Sequence, residues 1–275
     1  MSRPLAGLAR AIAILAYVLF ALFPLYWLVK IAFTPGQLLY SEGIRLWPSA
    51  TTLANFDFVL LRSHFPYFFA NSVLVSAATA LAVTLLAGAA GYALSRFSFR
   101  LKPAIAFLLL LTQMFPLVML IPPIYQMMTP LGLTDNLFGL ILVYTAFNVP
   151  FATFLMQSFF DGIPVQLEEA AMIDGCTRLG ALRRVIVPLT LPGMAATLGF
   201  VFTAAWSELL FALMLINTEE KMTFPVGLLT FVSKFAVEWG QMMAATVLAL
   251  IPACIFFALI QRYLVQGLTA GAVKG

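Results

Sequence analysis

SVLVSAATALAVTLLAGAAGYALS, from Ser72 to Ser95, runs for 24 residues without a charge or a proline. A bilayer core of about 30 Å needs about 20 apolar residues in helical form, because an unpaired backbone group in hydrocarbon costs several kcal/mol. The stretch is therefore long enough to cross as a helix. Within it Ser76, Ala80, Thr84 and Gly88 recur every four residues and share one stripe. Small residues on a stripe let another helix approach closely, so this face is read as a packing face.

Working outward, five further segments meet the same length: Ala11 to Ile31, Ala104 to Ile121, Leu137 to Phe159, Gly193 to Ile216 and Gln241 to Gln261. Composition agrees, since 63% of the 275 residues are hydrophobic and 9% are charged, against roughly a quarter charged in an ordinary soluble domain. The sequence predicts an all-α, polytopic integral membrane protein with six transmembrane helices, organised as a single domain over residues 1–275. Pro24, Pro116 and Pro252 fall inside spans, where each is expected to kink its helix. The apolar run after Arg10 is longer than a signal-peptide core and no small-residue cleavage pattern follows it, so it is expected to stay as an anchor.

The formal charge of +4 sits in the loops. Arg3, Arg10, Arg96, Arg100, Lys102, Arg178, Arg183, Arg184, Arg262 and Lys274 fall on one side of the six spans, which the positive-inside rule makes cytoplasmic, with both termini. The opposite loops balance Lys30, Arg45, Arg62, Lys221 and Lys234 against Glu42, Asp57, Asp135, Glu219, Glu220 and Glu238. Topogenic charge explains the basic excess without nucleic acid. Cys176 and Cys254 form no C-x-x-C or Cys/His cluster, so free thiols and no metal site are expected. On the outer side, Leu53, Phe56 and Leu60 stand at helical spacing and predict a short helix over Thr52 to Leu61 lying on the membrane surface. His64, the single histidine, is read as structural.

The cytoplasmic loop of real length, residues 161–192, reads DGIPVQLEEAAMIDGCTRLGALRRVIVPLTLP. Pro164 suits the first turn of a helix, Glu168 and Glu169 favour the positive end of its dipole, and Gly175 can take the left-handed conformation that ends it. A helix from Pro164 to Asp174 follows. Thr177 is placed to cap a second helix, with Leu179, Leu182, Val185 and Ile186 on one side and Arg178, Arg183 and Arg184 toward lipid headgroups or a partner. Ala170 and Ala171 leave a shallow face that can sit in a groove of another protein, with carboxylates at its edges.

Glu169, Ala170, Ala171, Asp174, Gly175 and Pro188 stand at the spacing E-A-A-x-x-D-G, twelve residues, P. This resembles the coupling motif of ABC import permeases. The resemblance extends over nearly the whole chain: TLANFDFVL at Thr52 to Leu60, NSV at Asn71 to Val73, GYALSRFSF at Gly91 to Phe99 and QRYLVQGLTAGAVKG from Gln261 look most like the carbohydrate-uptake branch, the maltose-type second permease subunit. Val187 departs from the leucine usual there. The resemblance implies a permease subunit of a bacterial ABC importer in the inner (cytoplasmic) membrane, forming half of the pathway for a carbohydrate by alternating access. It implies a second permease subunit, two cytoplasmic ATPases that bind ATP and magnesium, and an extracytoplasmic solute-binding protein. It places the ATPase contact on a cytoplasmic coupling helix, at Glu168, Glu169, Ala170, Ala171, Asp174, Gly175, Arg178 and Pro188. The C-terminal tail, residues 266–275, is expected to be flexible and to reach the ATPase pair.

No G-x-x-x-x-G-K-[ST] loop is present to cradle ATP phosphates, and no His/Asp/Ser set or paired carboxylate suggests chemistry on a solute. The chain is read as a transport component, not an enzyme, without a cofactor of its own. Glu208 is the one acidic residue well inside a span, where a charge costs roughly 2.5 to 3.5 kcal/mol on insertion scales. It is expected to face protein, with Trp206 and Ser207 beside it. The trio either meets the solute in the pathway or holds a neighbouring helix or the partner permease. The family stretch reads W-N-[DE], and Ser207 replaces its asparagine. Two other functions stay open: an ABC importer for a polyamine or similar non-sugar solute, and an ion-coupled secondary transporter, which ordinarily needs several intramembrane ionisable groups.

Overall fold

A computed structural model of the protein describes residues 3–233 and 236–272, with side chains at 7, 8, 10–233, 236–259 and 261. The side chains of Arg3, Lys234, Arg262 and Lys274, and the end of the expected tail, lie outside the described residues. In chain order the helices are α1 (Arg3–Ala32), α2 (Gly36–Ser41), α3 (Ala54–Leu61), α4 (Phe65–Arg96), α5 (Lys102–Thr112), α6 (Leu117–Met128), α7 (Leu137–Asp161), α8 (Gln166–Ile173), α9 (Arg178–Ala181), α10 (Val187–Trp206), α11 (Leu210–Leu215), α12 (Phe224–Gly227) and α13 (Trp239–Ala272). Residues Leu182–Ile186 join α9 to α10 in the wider π geometry.

Five crossings are continuous: α1, α4, α7, the run Arg178–Trp206 and α13 are each long and apolar enough to span a bilayer. The third expected span differs. In place of one kinked helix over Ala104 to Ile121, α5 and α6 meet at a bend of 100°. Their 11 and 12 residues give lengths of about 17 Å each at 1.5 Å per residue, too short to cross singly. Pro116 is the reason: it has no N–H to donate, stands extended at φ −61° and ψ 122°, and opens α6 as its N-cap.

The fifth span is also redrawn. Its helix starts earlier than Gly193 and stops at Trp206; the chain breaks at residues 207–209 and resumes as the short α11. The last helix runs past Gln261 to Ala272, so the first part of the expected flexible tail is helical.

The chain divides into two compact units, Met1–Pro66 with Gly227–Ile251 and Tyr67–Val226 with Pro252–Gly275. In the first, α3 is tied to the end of α1 by buried Asn55, whose amide donates to Ala32 O at 2.9 Å and Thr34 O at 3.0 Å. The buried face of α3 is Asn55 and Val59, which leaves Leu53, Leu60 and Leu61 exposed. In the second unit, Val75 of α4, Leu140, Val143 and Tyr144 of α7, Ala205 of α10, Phe211 and Leu215 of α11 and Val226 form one core. Ser76, Ala80 and Thr84 of the small-residue stripe are buried. Helices α4 and α7 approach closely at Gly91, where an added Cβ would lie 2.8 Å from Gln157 N and 2.9 Å from Met156 Cβ. That approach is what a missing side chain permits in a lipid-embedded protein, where van der Waals contact and not water drives helices together.

Candidate coupling site

The motif loop lies wholly in the second unit, between α7 and α10. Helix α8 ends as its glycine foretold: Gly175 has φ +90°, Gly175 N donates to Met172 O at 3.1 Å and Cys176 N to Ala171 O at 3.0 Å. This pair of bonds satisfies the last carbonyls and turns the chain back on itself. Thr177 caps α9 by accepting from Gly180 N at 3.1 Å. On the second helix Ala181 and Ile186 are buried, but Leu179 is exposed, contrary to the expected stripe; the π turn at Leu182–Ile186 lies between Leu179 and Ile186 and takes them out of a common phase.

Glu169, Ala170, Asp174, Gly175, Arg178 and Pro188 are exposed and Ala171 is half-buried. Leu167 and Ile173 are exposed apolar neighbours, Ile173 at 86%. Glu168 departs from the expected set. It is 3% exposed and points inward, towards α4. The Tyr92 hydroxyl donates to its Oε1 at 2.5 Å, Arg96 Nε lies 3.4 Å from Oε2 and Arg178 Nε lies 3.8 Å from Oε1. Arg96 also donates to Ile163 O at 2.8 Å, and Ser95 donates to Asp161 at 2.5 Å. The Arg178 guanidinium sits 5.0 Å from the centre of the Phe97 ring. The far end of α4 is thus fastened to both flanks of α8. The sequence reading missed Tyr92 and Arg96 here: GYALSRFSF stood out only as a resemblance, and Arg96 was assigned to topology.

The second expected set lies at the break after α10. Trp206 is 4% exposed and packs among Phe69, Phe202 and Phe224 at ring distances of 5.8, 5.7 and 4.8 Å. Ser207 donates back to Thr203 O at 2.9 Å. The Glu208 carboxylate accepts from the Tyr144 hydroxyl at 2.6 Å, from Leu210 N at 2.8 Å, from Phe211 N at 3.1 Å and from Ala212 N at 3.3 Å. It caps α11 and closes the interruption in the span, where unpaired N–H groups would otherwise face hydrocarbon.

At the other end of the unit, Asp135 adopts φ +52° and accepts from Asn217 N at 3.0 Å, Thr218 N at 2.8 Å and Thr218 Oγ1 at 2.6 Å. Lys221 Nζ lies 2.8 Å away. Lys221, followed by Thr218, holds the Asp135 carboxyl far below the usual carboxylate range. Asn71 Nδ2 donates to Glu220 O at 2.8 Å and Met222 O at 3.0 Å, and Phe224 N donates to Ser72 Oγ at 2.7 Å.

Apolar crossings, an interrupted span and an exposed, glycine-terminated helix in the longest motif-bearing loop define a multi-pass membrane protein of the permease class. Residues 83–270 match the model of the binding-protein-dependent transport system inner membrane component family, and the chain belongs to that family. It is similar to the sulfoquinovosyl glycerol transport system permease protein SmoH of Agrobacterium fabrum, 36% identical over 97% of this chain and 93% of that protein. It is similar to the diacetylchitobiose uptake system permease protein DasC of Streptomyces coelicolor, 37% identical over 94% and 95%. The trehalose/maltose transport system permease protein MalG of Thermococcus litoralis is 34% identical over 98% of each chain. Among solved structures, a chain of a bacterial ABC transporter involved in the import of the acidic polysaccharide alginate superposes with a TM-score of 0.81 at 25% identity, covering 96% of this chain and 98% of that one. The MetNI methionine ABC transporter shares the fold alone, with a TM-score of 0.59 at 16% identity over 77% of this chain and 97% of that one. The chain is a multi-pass inner-membrane permease subunit of an ABC importer.

Proposed function

We propose that this subunit forms half of a carbohydrate pathway beside a second permease, and that the exposed edge of α8 docks in a groove of a cytoplasmic ATPase. Both termini are then cytoplasmic, and ATP and magnesium sit on the ATPases. An extracytoplasmic binding protein delivers the solute. The observation that carries the docking reading is the form of α8: Ala170, Ile173 and Asp174 are offered outward while Glu168 holds the helix from behind. Small side chains admit close approach, and Glu169 and Asp174 supply charge for orientation. The substrate class is supported by the relatives, whose names carry sulfoquinovosyl glycerol, diacetylchitobiose and trehalose/maltose.

The test is a cysteine at Ile173 in the assembled complex. A thiol-specific cross-linker should join it to the ATPase; a product joining it to no ATPase, with the complex intact, rejects the docking assignment. The solute class is tested separately by titrating the cognate binding protein with sugars and with polyamines, and tight binding of a polyamine alone would remove the carbohydrate reading.

In the same reading, Glu208, Trp206 and Ser207 hold the interrupted span together and leave solute contact to other groups. Four donors on one carboxylate support this. A Glu208→Gln chain should then accumulate poorly in the membrane; normal accumulation with weakened uptake would return the residue to the pathway.

A further inference from the structure

We propose that Glu168 is a positioning residue that carries the motion of α8 into α4, so that the Arg96 end of α4 is drawn along with the docking helix and α4 tilts against α10. This rests on the reading of α8 as the ATPase-docking helix. Its chain neighbours, α7 and α10, must follow α8 because they are covalently continuous with its loop. Helix α4 has no such link: the chain passes from α4 through α5, α6 and α7 before it reaches α8. What joins α4 to α8 is the cluster around Glu168. Tyr92 and Arg96 come from the last two turns of α4 and meet one buried carboxylate, while Arg96 also grips Ile163 O just before α8. Arg178, just beyond α8, completes the ring against Glu168 and Phe97.

The physical case rests on burial. Glu168 and Arg96 have side chains 4% and 6% exposed. A buried ion of either sign without its partner costs several kcal/mol, so neither group can let the other go while it stays out of water. Hydrophobic contact alone would let two helices slide; a carboxylate shared by a hydroxyl and two guanidinium groups does not. The ion-pair distances, 3.4 and 3.8 Å, leave room for the groups to turn without parting. Sequence alone makes Glu168 a second docking charge beside Glu169; here its direction assigns it to the inside of the permease.

The experiment uses the whole complex in proteoliposomes. Two variants are compared with the unaltered chain: Glu168→Gln, and the double variant Glu168→Gln with Arg96→Met, which leaves no buried charge unpaired. Spin labels at Leu85 of α4 and Phe200 of α10, both exposed, report the distance between these helices with and without ATP. The expected result in both variants is that ATP hydrolysed per solute carried rises about tenfold, within the range usual for coupled sites, and that the ATP-dependent change in label distance is lost. Glu168→Asp should restore part of both. An unchanged ratio and an unchanged label response in the double variant would overturn the proposal. Failure of the double variant to assemble would overturn it equally, since the cluster would then serve folding alone. If the cross-link from Ile173→Cys to the ATPase fails with Glu168 and Arg96 intact, the docking reading is at fault and not the role of Glu168.

Discussion

Glu168 and Asp135 fasten loops at opposite ends of the second unit, and they do so by different chemistry. Glu168 is buried and is met by side chains from separate elements, one hydroxyl and two guanidinium groups. Asp135 is partly exposed and is met by the backbone of a tight turn, by Thr218 and by Lys221. Backbone donors fix a local shape, because peptide planes cannot turn independently. Side-chain partners on different helices fix an attachment while leaving each helix free to tilt. The α8 end is therefore built as a joint and the Asp135 end as a brace.

Arg96→Ala should break the joint most severely. It strands Glu168 in a buried site, and removal of one partner from a buried pair costs about 3 to 5 kcal/mol. Thermal unfolding of the detergent-purified complex should show the largest fall in this variant, and a shift as small as that of a surface substitution would refute the burial argument. Asp135→Ala removes three hydrogen bonds from neutral donors and a half-exposed ion pair, for about 1 to 3 kcal/mol. Its effect should be confined to faster amide exchange over residues 217–222, with exchange around α8 unchanged. Tyr92→Phe keeps the ring's edge-to-face contacts with Phe160 and Phe97 and loses one hydrogen bond, worth about 1.5 kcal/mol when the acceptor is charged. Uptake by this variant should fall less than with Glu168→Gln.

The smallest effect is one of pH. The folded Asp135 carboxyl lies below its unfolded value of about 3.9, so its contribution is fully present above that value and is lost as pH falls through the folded one. Protection from exchange at Asn217 and Thr218, relative to the intrinsic rate at each pH, should stay flat from neutral pH to about 5 and fall only in stronger acid. A loss of protection between about pH 6 and 7 would show that another group governs the brace.

The sequence reading found the crossings because apolar length is read directly from composition, and it found α8 because Gly175 and Thr177 carry their own backbone signals. It lost the two interruptions. Pro116 reads the same whether it bends a helix or begins one, and only the extended conformation at the proline separates the two. Ser207 to Leu209 carries no glycine or proline, so the break there depends on Glu208 supplying acceptors to Leu210, Phe211 and Ala212, a feature of three dimensions. Glu168 and Glu169 are adjacent and alike in sequence. Only a helix laid against Tyr92 and Arg96 sends one inward and the other out.

The bare backbone contact at Gly91 adds a mechanical property. It lies five residues from Arg96 and twenty from Asn71, about 7.5 Å and 30 Å along a helix at 1.5 Å per residue. If α4 rocks on that fulcrum, it is a lever with arms in a ratio of about one to four. A nudge of about 1 Å at the short arm becomes a sweep of about 4 Å at the long one, delivered where Asn71 holds the carbonyls of Glu220 and Met222.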